Sequence, residues 1–170
     1  GIVGVSLRSP DTRDALAPQD GLYTVAVRDA TGESLQVVGA ISSLLVAPES
    51  PDAVLDALTA PDTRIVSLTV TEKGYCHKPA TGELDEANAD IVHDLAAPTT
   101  PKSAIGYLVE AIARRRAAGL APFTVLSCDN LPSNGETVRR VVMRFAEIRD
   151  PELAAYIGGA VTFPSTMVDR

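Results

Sequence analysis

The sequence predicts an α/β fold: a mostly parallel sheet with helices on both faces and an antiparallel hairpin set into it. Three observations carry that reading. Short, β-branched apolar runs recur at 2–7, 65–70 and 123–127. Between and after them lie longer stretches with apolar residues at helical spacing. Strands alternating with helices mean βαβ units, and βαβ units mean parallel pairing.

Ile2 to Leu7 reads as a buried strand stopped by Arg8-Ser9-Pro10-Asp11, and Thr12 to Leu16 as one or two helical turns. Leu22 to Arg28 and Ser34 to Val38 are strand-like, and Asp29-Ala30-Thr31-Gly32 between them is turn chemistry, which together predict an antiparallel hairpin. Ile41 to Val46 is expected to extend it. Ser50 caps a helix with Pro51 at its first position and Val54, Leu55 and Leu58 on one face. Ile65 to Val70 is the next buried strand, followed by a polar excursion over 77–99 with one short helix. Thr100 is expected to cap a helix opened by Pro101, with Ile105, Leu108, Val109 and Ile112 inward. Arg114, Arg115 and Arg116 close that helix as a solvated end favoured by the dipole, and Gly119 stops it. After the strand Phe123 to Ser127, the spacing of Ser133 and Glu136 predicts a capping box, and Val138, Val141, Val142 and Phe145 the buried face behind it. Pro151 opens a further short helix, and Val161 to Phe163 is expected to be a last strand.

Composition narrows the function. The 170 residues carry 15 Lys+Arg against 22 Asp+Glu, a net charge of −7. That balance argues against nucleic-acid binding, which works through basic patches. No apolar run approaches the roughly 18 residues of a membrane span, and no basic segment leads into an apolar stretch as in a secretory signal. Cys76 and Cys128 are too few for a disulfide scaffold and read as reduced thiols of a cytoplasmic protein. Both ends of the sequence fall inside what read as structural elements, so a piece of a longer protein is expected.

In open α/β sheets ligands bind at the carboxyl ends of strands, which selects Arg8 to Asp11, Thr71 to Cys76 and Ser127 to Asn134. A carboxylate at Asp11 can accept from both hydroxyls of an adenosine ribose, or it can simply cap the helix that follows. The same carboxylate repels a 2′-phosphate, whereas Arg8 and Arg13 close by can meet one, so NAD over NADP is a lean. Glu72, where a buried strand opens into a glycine-containing loop, either orients substrate and relays protons or pairs at the surface with Lys73. Asn130 offers a donor and an acceptor to a hydroxyl or carbonyl oxygen, or it stabilises its own turn. Cys76, His77, His93 and Cys128 are the soft or imidazole groups, but an adjacent Cys76-His77 and the lack of any C-x-x-C predict no metal site. No G-x-G-x-x-G occurs in the sequence.

Four strings carry a resemblance: Ser67-Leu-Thr-Val-Thr-Glu-Lys-Gly-Tyr-Cys76, Pro101-Lys-Ser-Ala-Ile-Gly-Tyr107, Phe123-Thr-Val-Leu-Ser-Cys-Asp-Asn-Leu131 and Thr162-Phe-Pro-Ser-Thr-Met-Val-Asp-Arg170. With Gly4 to Ser9, which is similar to a second nucleotide-domain strand, they resemble the long-chain polyol dehydrogenases, the family of mannitol 2-dehydrogenase and fructuronate reductase (mannonate oxidoreductase). The resemblance implies a Rossmann-like sheet lacking its first βα unit. It also implies that residues 1–170 are most of the N-terminal dinucleotide-binding domain, with the phosphate-binding turn before Gly1 and a helical catalytic domain after Arg170. The implied activity is metal-independent hydride transfer between NAD, with NADP second, and a secondary alcohol of a polyol or aldonate, the ketose or keto-uronate being the other partner. Asp11 matches the position that meets the adenosine ribose, Glu72 a glutamate of proton passage, Asn130 an asparagine that binds the reacting oxygen, and Asp169 an aspartate of the active-site surroundings. The family's general acid–base, a lysine in a Lys-x4-Asn-x2-His spacing, belongs to the second domain, so the 170 residues alone are expected to be inactive. Ser165 departs from the asparagine of several members. The Glu72-Lys73-Gly74-Tyr75 and Pro101-Lys102-Ser103 strings lean toward fructuronate over fructose. The competing expectation is a non-catalytic nucleotide-binding or interaction domain of the same fold.

Overall fold

The computed structural model describes residues 1–167. The chain divides into two compact units, Gly1–Val54 and Leu55–Arg170.

In the first unit, β1 (Ile2–Ser6) pairs in parallel with β4 (Ile41–Val46). Gly4 lies opposite Leu44, and a Cβ there would come within 2.6 Å of the Leu44 side chain. The connection contains α1 (Asp11–Leu16), a single 3-10 turn at Ala17–Gln19, and the hairpin of β2 (Tyr23–Asp29) and β3 (Gly32–Val38). The hairpin turn is as the sequence predicts. The Asp29 carboxylate accepts from the Thr31 amide at 2.7 Å and from its hydroxyl at 2.6 Å, and these bonds hold its pKa below the ordinary value. β4, however, does not extend the hairpin. Its amides and carbonyls are taken by β1, a ladder that the Ile2 amide opens at Ala40 O, 2.8 Å. Local alternation alone carries no record of that partner.

The second unit is built on β5 (Ile65–Leu68) and β6 (Thr124–Ser127), again parallel. α2 (Pro51–Thr59) carries the boundary between the units, and the Ser50 hydroxyl accepts from the Ala53 amide as expected. Between β5 and β6 run the short α3 (Thr71–Gly74), an antiparallel bridge joining His77 and Leu84, α4 (Ala89–Ala96) and α5 (Ala104–Ala117). α6 (Asn134–Arg149) and α7 (Pro151–Ala160) follow. The core is the apolar face of α6 (Val138, Val141, Val142, Phe145) with Ile105, Leu108 and Ile112 of α5 and Ile157 of α7, all buried.

Several expectations fail here, two of them because a side chain captures backbone groups outside its own element. α5 begins at Ala104, capped by Ser103, and not at Thr100-Pro101. The fully buried Asp94 carboxylate accepts from the amides of Lys102 (2.8 Å) and Ser103 (2.9 Å) and from the Ser103 hydroxyl (2.7 Å), which keeps that segment out of the helix. Ser103 Oγ in turn accepts from the Gly106 amide at 2.9 Å. A Cβ at Gly106 would sit 2.2 Å from the same carboxylate, so only glycine fits. The capping box at Ser133 and Glu136 does not form, because Ser133 is left-handed (φ 47) and its side chain accepts no cap bond. Arg115 is not part of a solvated helix end. It is 1% exposed, donates to the carbonyls of Ala121, Leu58 and Ala60, and lies over the Phe123 ring at 5.6 Å. Burial, with Arg64 a lesser cause, lowers its pKa. Arg114 pairs with Glu110, and Arg116 stacks on Tyr156. Val161 to Phe163 is not a strand, even though Val161 is extended and the Val125 amide donates to Thr162 O at 3.0 Å.

Candidate functional site

The carboxyl ends of β5 and β6 are tied together by one side chain. Asp129, two residues past β6, accepts from the Val70 amide through Oδ2 and from the Thr71 amide through Oδ1, both at 3.0 Å. These two bonds end β5 at Leu68 instead of Val70 and hold Thr71 in the left-handed region (φ 62). The Tyr75 hydroxyl donates to Asp129 Oδ2 and shares a 2.7 Å hydrogen bond with the Ser127 hydroxyl. Burial raises the Tyr75 pKa well above that of an ordinary phenol, and the Asp129 carboxylate adds to the rise. Tyr75 is therefore a neutral donor at any physiological pH.

This clamp flanks both candidate residues of the second unit. Glu72 follows Thr71 directly and begins the exposed turn of α3. Its carboxylate faces His77, with Nε2 4.0 Å from Oε1. Asn130 follows Asp129 directly and is exposed at the end of β6. The two segments chosen from the sequence, 71–76 and 127–134, are thus joined through a residue to which the sequence assigned no role.

A second asparagine matters more to the framework. Asn134, buried at the start of α6, donates to Ser127 O, Asp129 O and Thr166 O, and accepts from the Thr166 amide at 2.9 Å. The Thr166 hydroxyl donates to Ser127 O at 2.6 Å, and the Ser165 hydroxyl accepts from the Gly135 amide at 3.2 Å. A Cβ at Gly135 would lie 2.4 Å from Phe163 O. Asn134-Gly135 is therefore the device that brings residues 163–166 against the end of β6. The pair stood in the sequence, but an Asn-Gly at a helix start also reads as an ordinary turn. Asp169 lies outside the described residues.

In the first unit, Arg8 and Asp11 are both exposed beyond the end of β1. Asp11 is the first residue of α1, and the Ser9 hydroxyl donates to its Oδ2 at 2.8 Å. Arg13 is engaged by Asp14 at 2.9 Å and by Glu49. Neither Cys76 nor Cys128 is in a disulfide. Among the described residues no group of three His, Cys, Asp or Glu is placed to hold a metal ion, and no helix is long and apolar enough to cross a membrane.

The family model described as the mannitol dehydrogenase Rossmann domain matches residues 1–170. The chain belongs to the mannitol dehydrogenase family. The oxidoreductase YeiQ of Escherichia coli K12 is 51% identical over 100% of this chain and 35% of its own length. The D-mannonate oxidoreductase of the same organism is 49% identical over 100% of this chain and 36% of its own. The structure of Pseudomonas fluorescens mannitol 2-dehydrogenase with NAD and D-mannitol superposes with a TM-score of 0.95 at 46% identity, over 100% of this chain and 35% of that one. The fold is thus the family's Rossmann fold, and the chain spans about a third of the length of the relatives it matches. The Pro101-Lys102-Ser103 string has a folding role, as the segment that Asp94 captures.

Proposed function

We propose that this chain is the nucleotide-binding part of an NAD-dependent oxidoreductase that moves a hydride between nicotinamide and a secondary alcohol of a polyol or aldonate. The substrate pairs are mannitol with fructose or mannonate with fructuronate. The observation that carries the reading is the likeness, at 46% identity over all of this chain and 35% of the other, to a mannitol 2-dehydrogenase holding NAD and D-mannitol, together with the likeness to a D-mannonate oxidoreductase. NAD, when bound, supplies the hydride acceptor at its nicotinamide.

The residues of this chain suit such a partner. The Ser9 hydroxyl occupies one oxygen of Asp11, whose exposed carboxylate keeps acceptor capacity for a ribose diol. Arg13 is already committed to Asp14 and Glu49, which weakens the case for a 2′-phosphate and favours NAD over NADP. Arg8 stays exposed beside Asp11 for the adenosine side of the cofactor. In the second unit, Glu72 passes protons to and from the site, and the Asn130 amide donates to the substrate oxygen as negative charge grows on it. Asp169 completes the surroundings of the site. The glycine-rich phosphate turn and the acid–base lysine belong to parts of the protein outside these 170 residues, in keeping with relatives about three times as long. We place the work of the protein in the cytoplasm, where its NAD pool and its reduced thiols fit.

The test is NADH consumption by the longer protein with fructose and, separately, with fructuronate, each repeated with NADPH. Turnover with NADH and one of the two is expected. Fructuronate preference would point to a cationic carboxylate site in the second domain, and fructose preference to a pocket that reads hydroxyls. Silence with both, at normal NADH affinity, would leave a nucleotide-binding domain without this catalysis and would refute the proposal.

A further inference from the structure

His77 has a buried, titratable side chain near the strand ends and takes no part in the proposed function. Its backbone is fixed on both sides. Asp85 N donates to Cys76 O at 2.8 Å, Lys78 N donates to Glu83 O at 2.8 Å, and His77 itself bridges to Leu84. Cys76 before it is held left-handed at φ 50. The His77 side chain is 6% exposed, and its Nδ1 is buried without a hydrogen-bond partner among the described residues. Nε2 points the other way chemically, 4.0 Å from Oε1 of Glu72, whose side chain is 58% exposed. The charged groups on the segments meeting His77 are Glu72 and Lys73 of α3, Lys78 next in the chain, and Glu83 and Asp85 on the returning segment.

A neutral imidazole carries one N–H, and its location follows from these contacts. A proton on Nδ1 would be a buried donor with nothing to receive it, whereas a bare Nδ1 is only an unfilled acceptor. The proton therefore belongs on Nε2, facing the Glu72 carboxylate. The 4.0 Å gap exceeds a direct hydrogen bond, and a rotamer change of the exposed glutamate or a bridging water closes it.

We propose that His77 is a positioning residue for Glu72: neutral, with its proton on Nε2, it donates toward the carboxylate and holds it at the strand-end mouth. The inference rests on the reading of Glu72 as the proton-handling group. His77 is fixed by the bridge and Glu72 by nothing of comparable rigidity, so the buried ring sets where the mobile carboxylate rests. No proton leaves the pair in this role. His77 keeps its own, and Glu72 exchanges with substrate and solvent.

Two readouts test it. The sequence has only two histidines, His77 and His93, so histidine NMR resolves both, and His93, paired to Asp94 at 3.0 Å, serves as internal reference. Long-range 15N spectra should show His77 as the Nε2–H tautomer. Glu72→Gln should shift the His77 Nε2 and Nε2–H resonances, which face the substituted side chain, and leave those of His93 unmoved. An Nδ1–H tautomer, or His77 Nε2 resonances that Glu72→Gln does not move, would overturn the proposal. In the longer enzyme, Glu72→Gln should cut kcat at least 10-fold, and His77→Gln should move the acid limb of the pH–rate profile upward by half a unit or more with KM for NAD unchanged. His77→Asn repeats the test with a smaller side chain should His77→Gln fold poorly. If Glu72→Gln silences the enzyme and the His77 variants overlay the parent profile, the positioning role fails and the role of Glu72 stands. If Glu72→Gln is fully active, the reading of Glu72 itself has failed and takes the pair's catalytic meaning with it.

Discussion

Asp129→Asn is a nearly isosteric change that the strand-end clamp should not tolerate. The two carboxylate oxygens receive different backbone amides, Val70 N on Oδ2 and Thr71 N on Oδ1, each at 3.0 Å, and the Tyr75 hydroxyl also donates to Oδ2. An asparagine presents one oxygen and one NH2, so either flip sets an N–H donor against a backbone N–H. The better flip puts the amide oxygen at the Oδ2 position, keeping Val70 and Tyr75 while losing Thr71. Thr71 then loses the bond that holds its left-handed φ of 62, a strain the parent already carries. The bond lost is a hydrogen bond to a charged acceptor, worth about 1.5–3 kcal/mol. Thr71 is exposed, so water recovers some of this, and the expected loss is about 1–2 kcal/mol. The assay is urea unfolding of parent and variant, accepting the comparison only where the m-values agree. In the longer enzyme the same variant should lower kcat more than it raises KM, since Glu72 and Asn130 each adjoin the clamp. A loss below about 0.5 kcal/mol, the usual scatter of innocuous surface changes, would refute the claim that Asp129 joins the two strand ends.

Three further outcomes follow from the same contacts. Gly106→Ala should destabilise by about 2–4 kcal/mol, seen as a lower thermal midpoint, because its Cβ would lie 2.2 Å from the buried Asp94 carboxylate. Arg115→Met should cost about 2–4 kcal/mol in urea unfolding, since the carbonyls of Leu58, Ala60 and Ala121 would lose their buried donor. Tyr75 has a folded-state pKa above its unfolded value, and for an acid this means the folded state holds the proton more tightly. Its contribution is present below the ordinary phenol pKa of about 10 and is lost as pH rises above it. Tyr75→Phe should therefore show a shallower fall in stability between about pH 9.5 and 11 than the parent.

What could be read from the sequence was what neighbours in the chain decide. The buried face of α6, the Ser50 cap of α2, the hairpin turn at Asp29 and Gly119 as the stop of α5 all follow from periodicity or local bonding, and all appear in the structure. Glu72 and Asn130 are candidates from the sequence because strand ends are where such sheets bind ligands. The misses are long-range. Asp94 reaches eight and nine residues along the chain to start α5 late, and Asp129 reaches 58 and 59 residues back to end β5 early. Arg115 finds its carbonyls more than fifty residues away at Leu58 and Ala60, so a run of three arginines at a helix end gave no sign that the middle one is buried. β4 alternates as a hairpin strand would, and only the presence of β1 decides its pairing. In each case a single polar side chain or a distant strand overrides a local preference, and a local pattern contains no trace of that.

The central claim is hydride transfer to a carbonyl carbon, and isotopic transfer tests it most directly. The longer protein, incubated with NADH carrying deuterium at both C4 positions and with fructose or fructuronate, should deliver deuterium to the new carbinol carbon of the polyol or aldonate, visible by NMR of the product. NADH oxidised without deuterium at that carbon, or no product from either substrate, would contradict the account.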